Sequence, residues 1–153
     1  HFQRRVFALR VCRAQQRGEF SALRGLLGLQ CFAPCVELRQ RILLARALCQ
    51  STPILLLDEP TAHLDLQYQV GLLELVTELA HKDNLAVLIA LHDLNLAAHY
   101  ADRIALMVAG NIKAMGEPKE VLQPELIAEA YCLPVQVVKH PFLDIPLVLP
   151  EIK

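Results

Sequence analysis

The chain has 153 residues, 54% of them apolar, and its formal net charge is −1. This composition excludes a disordered protein, and the longest apolar runs are too short to cross a bilayer, so we expect a soluble protein. The charge is uneven, because residues 1–46 carry nine Arg against two acidic residues, whereas the remainder is acidic. The basic stretch lacks the aromatic interleaving of a single-strand binder, so we expect no nucleic-acid partner.

The cysteines indicate a reducing compartment. Five of them are scattered along the chain, and an odd, scattered number argues against a disulfide framework. Cys31 and Cys35 form a C-x3-C pair with no second pair, which is weak support for a zinc site. We therefore interpret the cysteines as reduced side chains with no assigned task.

The first predicted element begins only after residue 36. Residues 1–36 sustain neither a helical nor a strand period, so no element is predicted there. From Glu37, apolar residues recur at spacings of four, three and four, which predicts an amphipathic helix that ends before Pro53. The apolar face of this helix should consist of Leu38, Ile42, Ala45 and Cys49.

A strand, a helix and a second strand come next. The run Ile54–Leu57 is continuously apolar, as in a strand covered on both faces. A helical period follows Asp65, which is a suitable N-cap. The run "LAVLIAL" predicts another buried strand, which ends just before His92.

The rest of the chain predicts smaller elements. Asp93 can cap a helix over residues 94–101, and "RIALMV", "AGN" and "IKAM" predict a β-hairpin. Two short helices opened by proline are expected at residues 118–122 and 125–131. The Pro- and Val-rich tail predicts short strands and turns.

Three polar side chains follow the two predicted strands. A strand–helix–strand connection places parallel, usually neighbouring strands in one sheet, so their carboxyl ends share an edge. We therefore expect Asp58, Glu59 and His92 to lie along the same edge, where open α/β sheets bind ligands. One carboxylate there can hold Mg²⁺, the second can polarise a water, and the imidazole can hydrogen-bond a phosphate. Solvated turn residues remain an alternative interpretation of the acidic pair.

Several longer motifs resemble the second half of an ATP-binding cassette (ABC) ATPase. "ILLARALCQSTPILLLDEPTAHLD" is similar to the helix after the cassette signature, the Walker B strand and the D-loop. "ALHDLNLAAHYADRIALMVAGNI" resembles the switch-histidine region and its hairpin. The tail "GEPKEVLQPELIAEAYCLPVQVV" resembles cassettes that import iron-siderophore, haem or cobalamin. The resemblance covers residues 37–153.

The resemblance implies a fold and a division of the chain. The expected fold is α/β, the C-terminal part of a P-loop NTPase (RecA-like) domain, with a parallel sheet, flanking helices and a small C-terminal extension. We expect an atypical Arg-rich segment at residues 1–36, a cassette core at 37–116 and the extension at 117–153.

The resemblance also implies roles. Asp58 would be the aspartate on the Mg²⁺ side, Glu59 the base that orients water and His92 the switch histidine. Glu37 would end the signature beside the nucleotide, and Asp65 would face the partner cassette. The implied cofactors are ATP and Mg²⁺. The implied partners are a second copy of the cassette and membrane permeases, at the cytoplasmic face of a bacterial membrane.

The chain departs from the family pattern in two places. No glycine is followed by lysine, so the phosphate-binding loop G-x-x-x-x-G-K-[ST] is absent. "APCVE" stands where the family has a glycine-rich signature, and side chains there obstruct the approach of backbone amides to phosphate. We interpret the chain as lacking the half that grips nucleotide, and we expect no ATPase activity from it alone.

Residues 1–36 hold six Arg, no Lys and three of the five Cys, so we hypothesise that a shifted reading frame produced them. A diverged but genuine segment is the competing explanation. Three further hypotheses stay open: a catalytically dead cassette fragment that binds a permease or another cassette, a DNA-repair type cassette, and a half-domain of marginal stability.

Overall fold

The computed structural model of the chain describes residues 4–11 and 35–151. The contacts of the chain divide it into two compact units. The N-unit is Val11–Val87, and the C-unit is His1–Arg10 with Leu88–Lys153. The predicted division at residues 36 and 116 stays a prediction.

The described residues form helices and strands in mixed order, as an α/β fold requires. In chain order they are β1 (Arg4–Val11), α1 (Cys35–Leu48), β2 (Ile54–Asp58), α2 (Leu66–Asp83), β3 (Ala86–Leu91), α3 (Leu94–Tyr100), β4 (Arg103–Val108), β5 (Asn111–Gly116), α4 (Pro118–Val121), α5 (Pro124–Tyr131), β6 (Val135–Lys139) and β7 (Pro146–Pro150). The predicted elements from Glu37 onward are therefore present, with ends shifted by a few residues.

Helix α2 forms the core of the N-unit. Its N-cap is Asp65, whose carboxylate accepts a hydrogen bond from the Tyr68 N–H at 3.2 Å, as the sequence predicts. Asn84 ends the helix in the left-handed conformation (φ 54°), which asparagine tolerates better than most residues. The buried face holds Leu72, Leu73, Val76, Leu79 and Ala80. Strands β2 and β3 are neighbours in strand order, and the Ala86 N–H donates to the Pro53 carbonyl at 2.9 Å.

The predicted burial of β2 and of α1 is wrong. Ile54 and Leu56 are 57% and 68% exposed, whereas Leu55 is 5% exposed, so β2 alternates and is covered on one face. On α1, Ile42 of the predicted apolar face is 58% exposed, whereas Leu44, outside that face, is 3% exposed. A run of apolar residues shows that a strand can be covered on both faces, but coverage depends on what packs against it.

The C-unit contains an antiparallel part of the sheet. In strand order, β1 lies between β3 and β4, and β5 follows β4. Strand β1 pairs antiparallel with β4, and β4 with β5, the latter pair forming the predicted hairpin. Strand β1 lies in the segment for which the sequence predicted no element. Ile104 and Leu106 of β4 are almost fully buried in the core.

Residues 118–151 form the expected short helices and strands. The buried residues here include Val121 of α4, Leu122 just after it and Ile127 of α5. Strands β6 and β7 pair antiparallel, with Val137 opposite Val148. In the part of the chain that the structure describes, no helix is both long and apolar enough to cross a membrane.

Candidate functional site

The acidic pair lies at the end of a strand. Asp58 is the last residue of β2 and is exposed, and Glu59 follows it with a half-buried side chain. Glu59 has φ 48°, a left-handed conformation that costs a non-glycine residue free energy. Pro60, which is buried, then directs the chain away from the strand. Strained backbone of this kind occurs often at functional sites, which makes the pair a candidate.

The loop after the acidic pair is built from two turns. The Ala62 N–H donates to the Glu59 carbonyl at 3.1 Å, and the Leu64 N–H donates to the Thr61 carbonyl at 3.3 Å. His63 is a second left-handed residue, with φ 63°. The loop therefore contains two strained positions and is held by its own backbone hydrogen bonds.

Gln69 fixes this loop to helix α2. Its side-chain amide donates to the Leu64 carbonyl at 2.9 Å and, over a longer 3.5 Å, to the Thr61 carbonyl. The sequence analysis missed this residue, because a glutamine in the first turns of an amphipathic helix carries no signal of its own. Its half-buried position against the loop shows that it orders the segment between the acids and α2.

The structure describes the side chain of Asp65 but not that of Glu37. Asp65 is exposed and caps α2, so it has a structural role besides the one that the resemblance implies. Glu37 lies in the first turn of helix α1, and only its backbone is among the described parts of the chain. The cassette roles of both residues stay predictions.

His92 follows β3 directly. It is exposed, while Leu91 before it is 1% exposed. Asp93 after it caps helix α3, accepting hydrogen bonds from the Asn95 and Leu96 N–H groups at 2.8 and 3.0 Å. The histidine is thus held between a buried strand end and a capped helix start.

Each unit holds part of the predicted site. Asp58, Glu59 and Asp65 lie in the N-unit, within eight consecutive residues, and His92 lies in the C-unit. The expected meeting of the acidic pair with the histidine stays a prediction. Among the described residues, no group of three or more His, Cys, Asp or Glu side chains could hold a metal ion.

Relatives with known roles match most of the chain. The hemin import ATP-binding protein HmuV of Nocardia farcinica is 49% identical over 110 residues, which is 72% of this chain and 38% of that protein. HmuV of Streptomyces coelicolor is 51% identical over 113 residues, or 74% of this chain and 40% of that protein. The cobalamin import ATP-binding protein BtuD of Halobacterium salinarum is 48% identical and covers 67% of this chain and 26% of that protein. The chain thus spans about two fifths or less of these relatives.

Solved structures show the same fold. A metal-chelate type ABC transporter in an inward-facing conformation matches with a TM-score of 0.66 and 31% identity, over 76% of this chain and 47% of that chain. A bacterial ABC transporter cassette solved as a dimer matches with a TM-score of 0.53 and 28% identity, over 67% of this chain and 50% of that chain. No protein-family model matches the chain.

Proposed function

Since the chain is a homologue of hemin and cobalamin import ATP-binding proteins over about 70% of its length, with the fold of ABC cassettes, we propose that it is the C-terminal part of an ATP-hydrolysing importer subunit. The subunit would energise the uptake of iron chelates, haem or cobalamin. The observation that carries the proposal is the acidic pair at the end of β2, in a chain that is 49% identical to N. farcinica HmuV over 110 residues.

The proposed roles follow from the chemistry of each side chain. Glu59 would accept a proton from the attacking water or orient that water. A carboxylate can do either when it lies within hydrogen-bonding distance of the water molecule. His92 would donate a hydrogen bond to the terminal phosphate from the end of β3. Asp58, one residue before Glu59, would bind on the metal side.

Asp58 fits a magnesium ion that is held only in part by protein. It offers carboxylate oxygens at an exposed strand end, and Mg²⁺ usually keeps several waters and binds through one or two carboxylates with substrate phosphates. When bound, the ion would neutralise charge on the phosphates. The remaining ligands would have to come from nucleotide and water, because the described residues form no cluster of three ligands.

The chain alone should not hydrolyse ATP. None of its six glycines is followed by lysine, so the sequence contains no phosphate-binding loop. Phosphoryl transfer depends on positioning, and a nucleotide that is not held in place gains little from Glu59. The whole subunit's partners would be permeases and a second cassette, and its place would be the cytoplasmic face of a bacterial membrane.

A catalytically dead module is the second candidate. Pro34, Cys35 and Val36 stand where the family signature has Ser-Gly-Gly, and Pro34 has no N–H to offer to phosphate. Such a fragment could still bind a permease or another cassette. Binding to permease without nucleotide binding would favour this candidate.

A chimera tests the catalytic proposal. Residues 37–153 are joined to the N-terminal part of the ATP-binding protein HmuV of N. farcinica, which is to supply the phosphate loop and the signature that this chain lacks. We expect the chimera to hydrolyse Mg-ATP, and Glu59→Gln to lower its kcat by about 10² to 10⁴-fold, the usual contribution of a general base. Glu74→Gln, on the exposed face of α2, is the matched control and should leave the rate unchanged.

Two further outcomes decide between the candidates. A chimera that keeps residues 33–153 retains "APCV" and should be much slower, because its signature cannot approach phosphate. A folded residue 37–153 chimera without any turnover would favour the dead module. Turnover by the isolated chain that Glu59→Gln abolishes would show that the proposed inactivity of this chain is wrong.

A further inference from the structure

Helix α3 and the C-terminal hairpin are joined by one side chain. The Asn95 amide donates from Nδ2 to the Val148 carbonyl at 3.2 Å, and its Oδ1 accepts from the Val148 N–H at 2.8 Å. The two residues are 53 positions apart, and both bonds are partly buried. One side chain therefore satisfies both backbone groups of a strand residue.

This bond completes the outer edge of the hairpin. In an antiparallel ladder, alternate residues direct both backbone groups away from the partner strand. Val148 lies opposite Val137 of β6, and its two backbone groups bond to Asn95 instead. A two-stranded hairpin is marginally stable alone, so the amide acts as a substitute for a third strand at that point.

The same pair of hydrogen bonds constrains the segment before helix α3, which contains His92. The helix has seven residues, which is too short to hold its own orientation in water. Its start is fixed by the Asp93 cap, by burial of Ala97 and Ala98, and by Asn95 in its first turn. His92 is only three residues before Asn95, so the bond to β7 limits how that segment can move.

We infer that Asn95 is a positioning residue for His92 and that it acts by fastening α3 to the β6–β7 hairpin. The C-terminal extension then has a task in the site: its outer strand holds the switch-histidine segment in place. The inference depends on the proposed function only for the role of His92. The contact itself lies wholly within the C-unit.

NMR on the 153-residue chain tests the inference without nucleotide. In Asn95→Ala we expect the Val148 amide to exchange about tenfold faster or more, because it loses its acceptor. The His92 ring resonances should shift, while those of His99, in the last turn of the same helix, should stay in place. Asn95→Asp keeps the acceptor and loses the donor, so it should give an intermediate shift.

Asn111→Ala is the matched control. It removes an amide that donates to the Ala109 carbonyl within a hairpin turn, and it should leave His92 unchanged. Unshifted His92 resonances in folded Asn95→Ala or Asn95→Asp protein would overturn the inference. A joint shift of His92 and His99 would overturn it as well, because general loosening of α3 explains that result. Failure of the ATPase chimera would leave these resonances untouched, so the two proposals fail separately.

Discussion

At the scale of single residues, an acidic side chain in the C-terminal extension pairs with two lysines. Asp144 accepts a hydrogen bond from Lys119 and forms an ion pair with Lys139 at 3.2 Å. The hydrogen bond from Lys119, then the hydrogen bond from Lys139, and then the charges of both lysines lower the pKa of the Asp144 carboxyl below its usual value. Because the folded state favours the charged form, this contribution to stability is present above the unfolded pKa and is lost as the pH falls through the folded pKa.

We expect an NMR titration of the Asp144 side-chain carbon to show this lowered pKa. Replacing Lys119 by Met should raise the pKa, and replacing Lys139 should raise it less, because Lys119 is the larger cause. High salt should reduce the shift, since all three side chains are exposed. An Asp144 pKa that is the same in both variants and in the parent chain would contradict the assignment.

The turn of the β4–β5 hairpin contains a removable strain. Ala109 and Gly110 have φ of 52° and 80°, which is typical of a turn that favours Asn-Gly. Ala109→Asn should therefore raise the free energy of unfolding by about 0.5 kcal/mol, measured by denaturant titration. Ala109→Gly should gain less, because glycine also loosens the unfolded chain. A loss of stability in Ala109→Asn would contradict this explanation.

At the scale of one element, helix α2 allows the two roles of Asp65 to be separated. Asp65→Ala removes the N-cap and should lower the free energy of unfolding by about 1 kcal/mol. Asp65→Ser and Asp65→Asn can still cap, so both should stay within a few tenths of the parent chain. The control Glu78→Ala breaks only an exposed pair with Lys82 and should cost less than about 0.5 kcal/mol.

If Asp65→Asn is as unstable as Asp65→Ala, the carboxylate charge rather than the cap supports the helix. If it is stable but slows the active chimera, then the charge has a role beyond the fold. That second result would support the position facing a partner cassette that the resemblance implies for Asp65.

The elements differ in how far sequence reasoning could predict them. Periodic apolar residues and caps such as Asp65 and Asp93 are local signals, and the structure confirms the helices that they predict. Strand β1 carries no such signal, because its Arg-rich sequence is ordered by pairing with β4. Contacts between distant residues, such as Asn95 with Val148, are also invisible in a local pattern.

The site shows the same limit. The acids and the histidine follow from a local signal, because Asp58 and His92 each come directly after an apolar run and Glu59 comes after Asp58. Their functional roles stay predictions. The contribution of Gln69 was not predictable. Its side chain donates hydrogen bonds to two backbone carbonyls of a loop, and the sequence does not reveal the path of that loop. Burial of β2 on both faces was predicted wrongly, because local hydrophobicity does not say whether a covering layer is present.

At the scale of the whole molecule, the exposed apolar surface of the N-unit should promote association between chains. Ile54 and Leu56 of β2 and Ile42 of α1 are each more than half exposed. Open apolar strand faces favour association between chains. We expect the 153-residue chain to self-associate as its concentration rises.

Substitutions on opposite faces of β2 test this cause of association. The double variant Ile54→Thr, Leu56→Thr places β-branched residues at both exposed positions and removes apolar surface. Sedimentation should therefore show less association, and the free energy of unfolding should change by less than about 0.5 kcal/mol per site. Leu55→Ala, on the buried face, should instead cost about 3 kcal/mol and should not reduce association of the folded chain. Association that persists unchanged in the double Thr variant would show that another surface is responsible. Association that disappears would assign it to the uncovered face of β2, because the buried-face variant leaves that face intact.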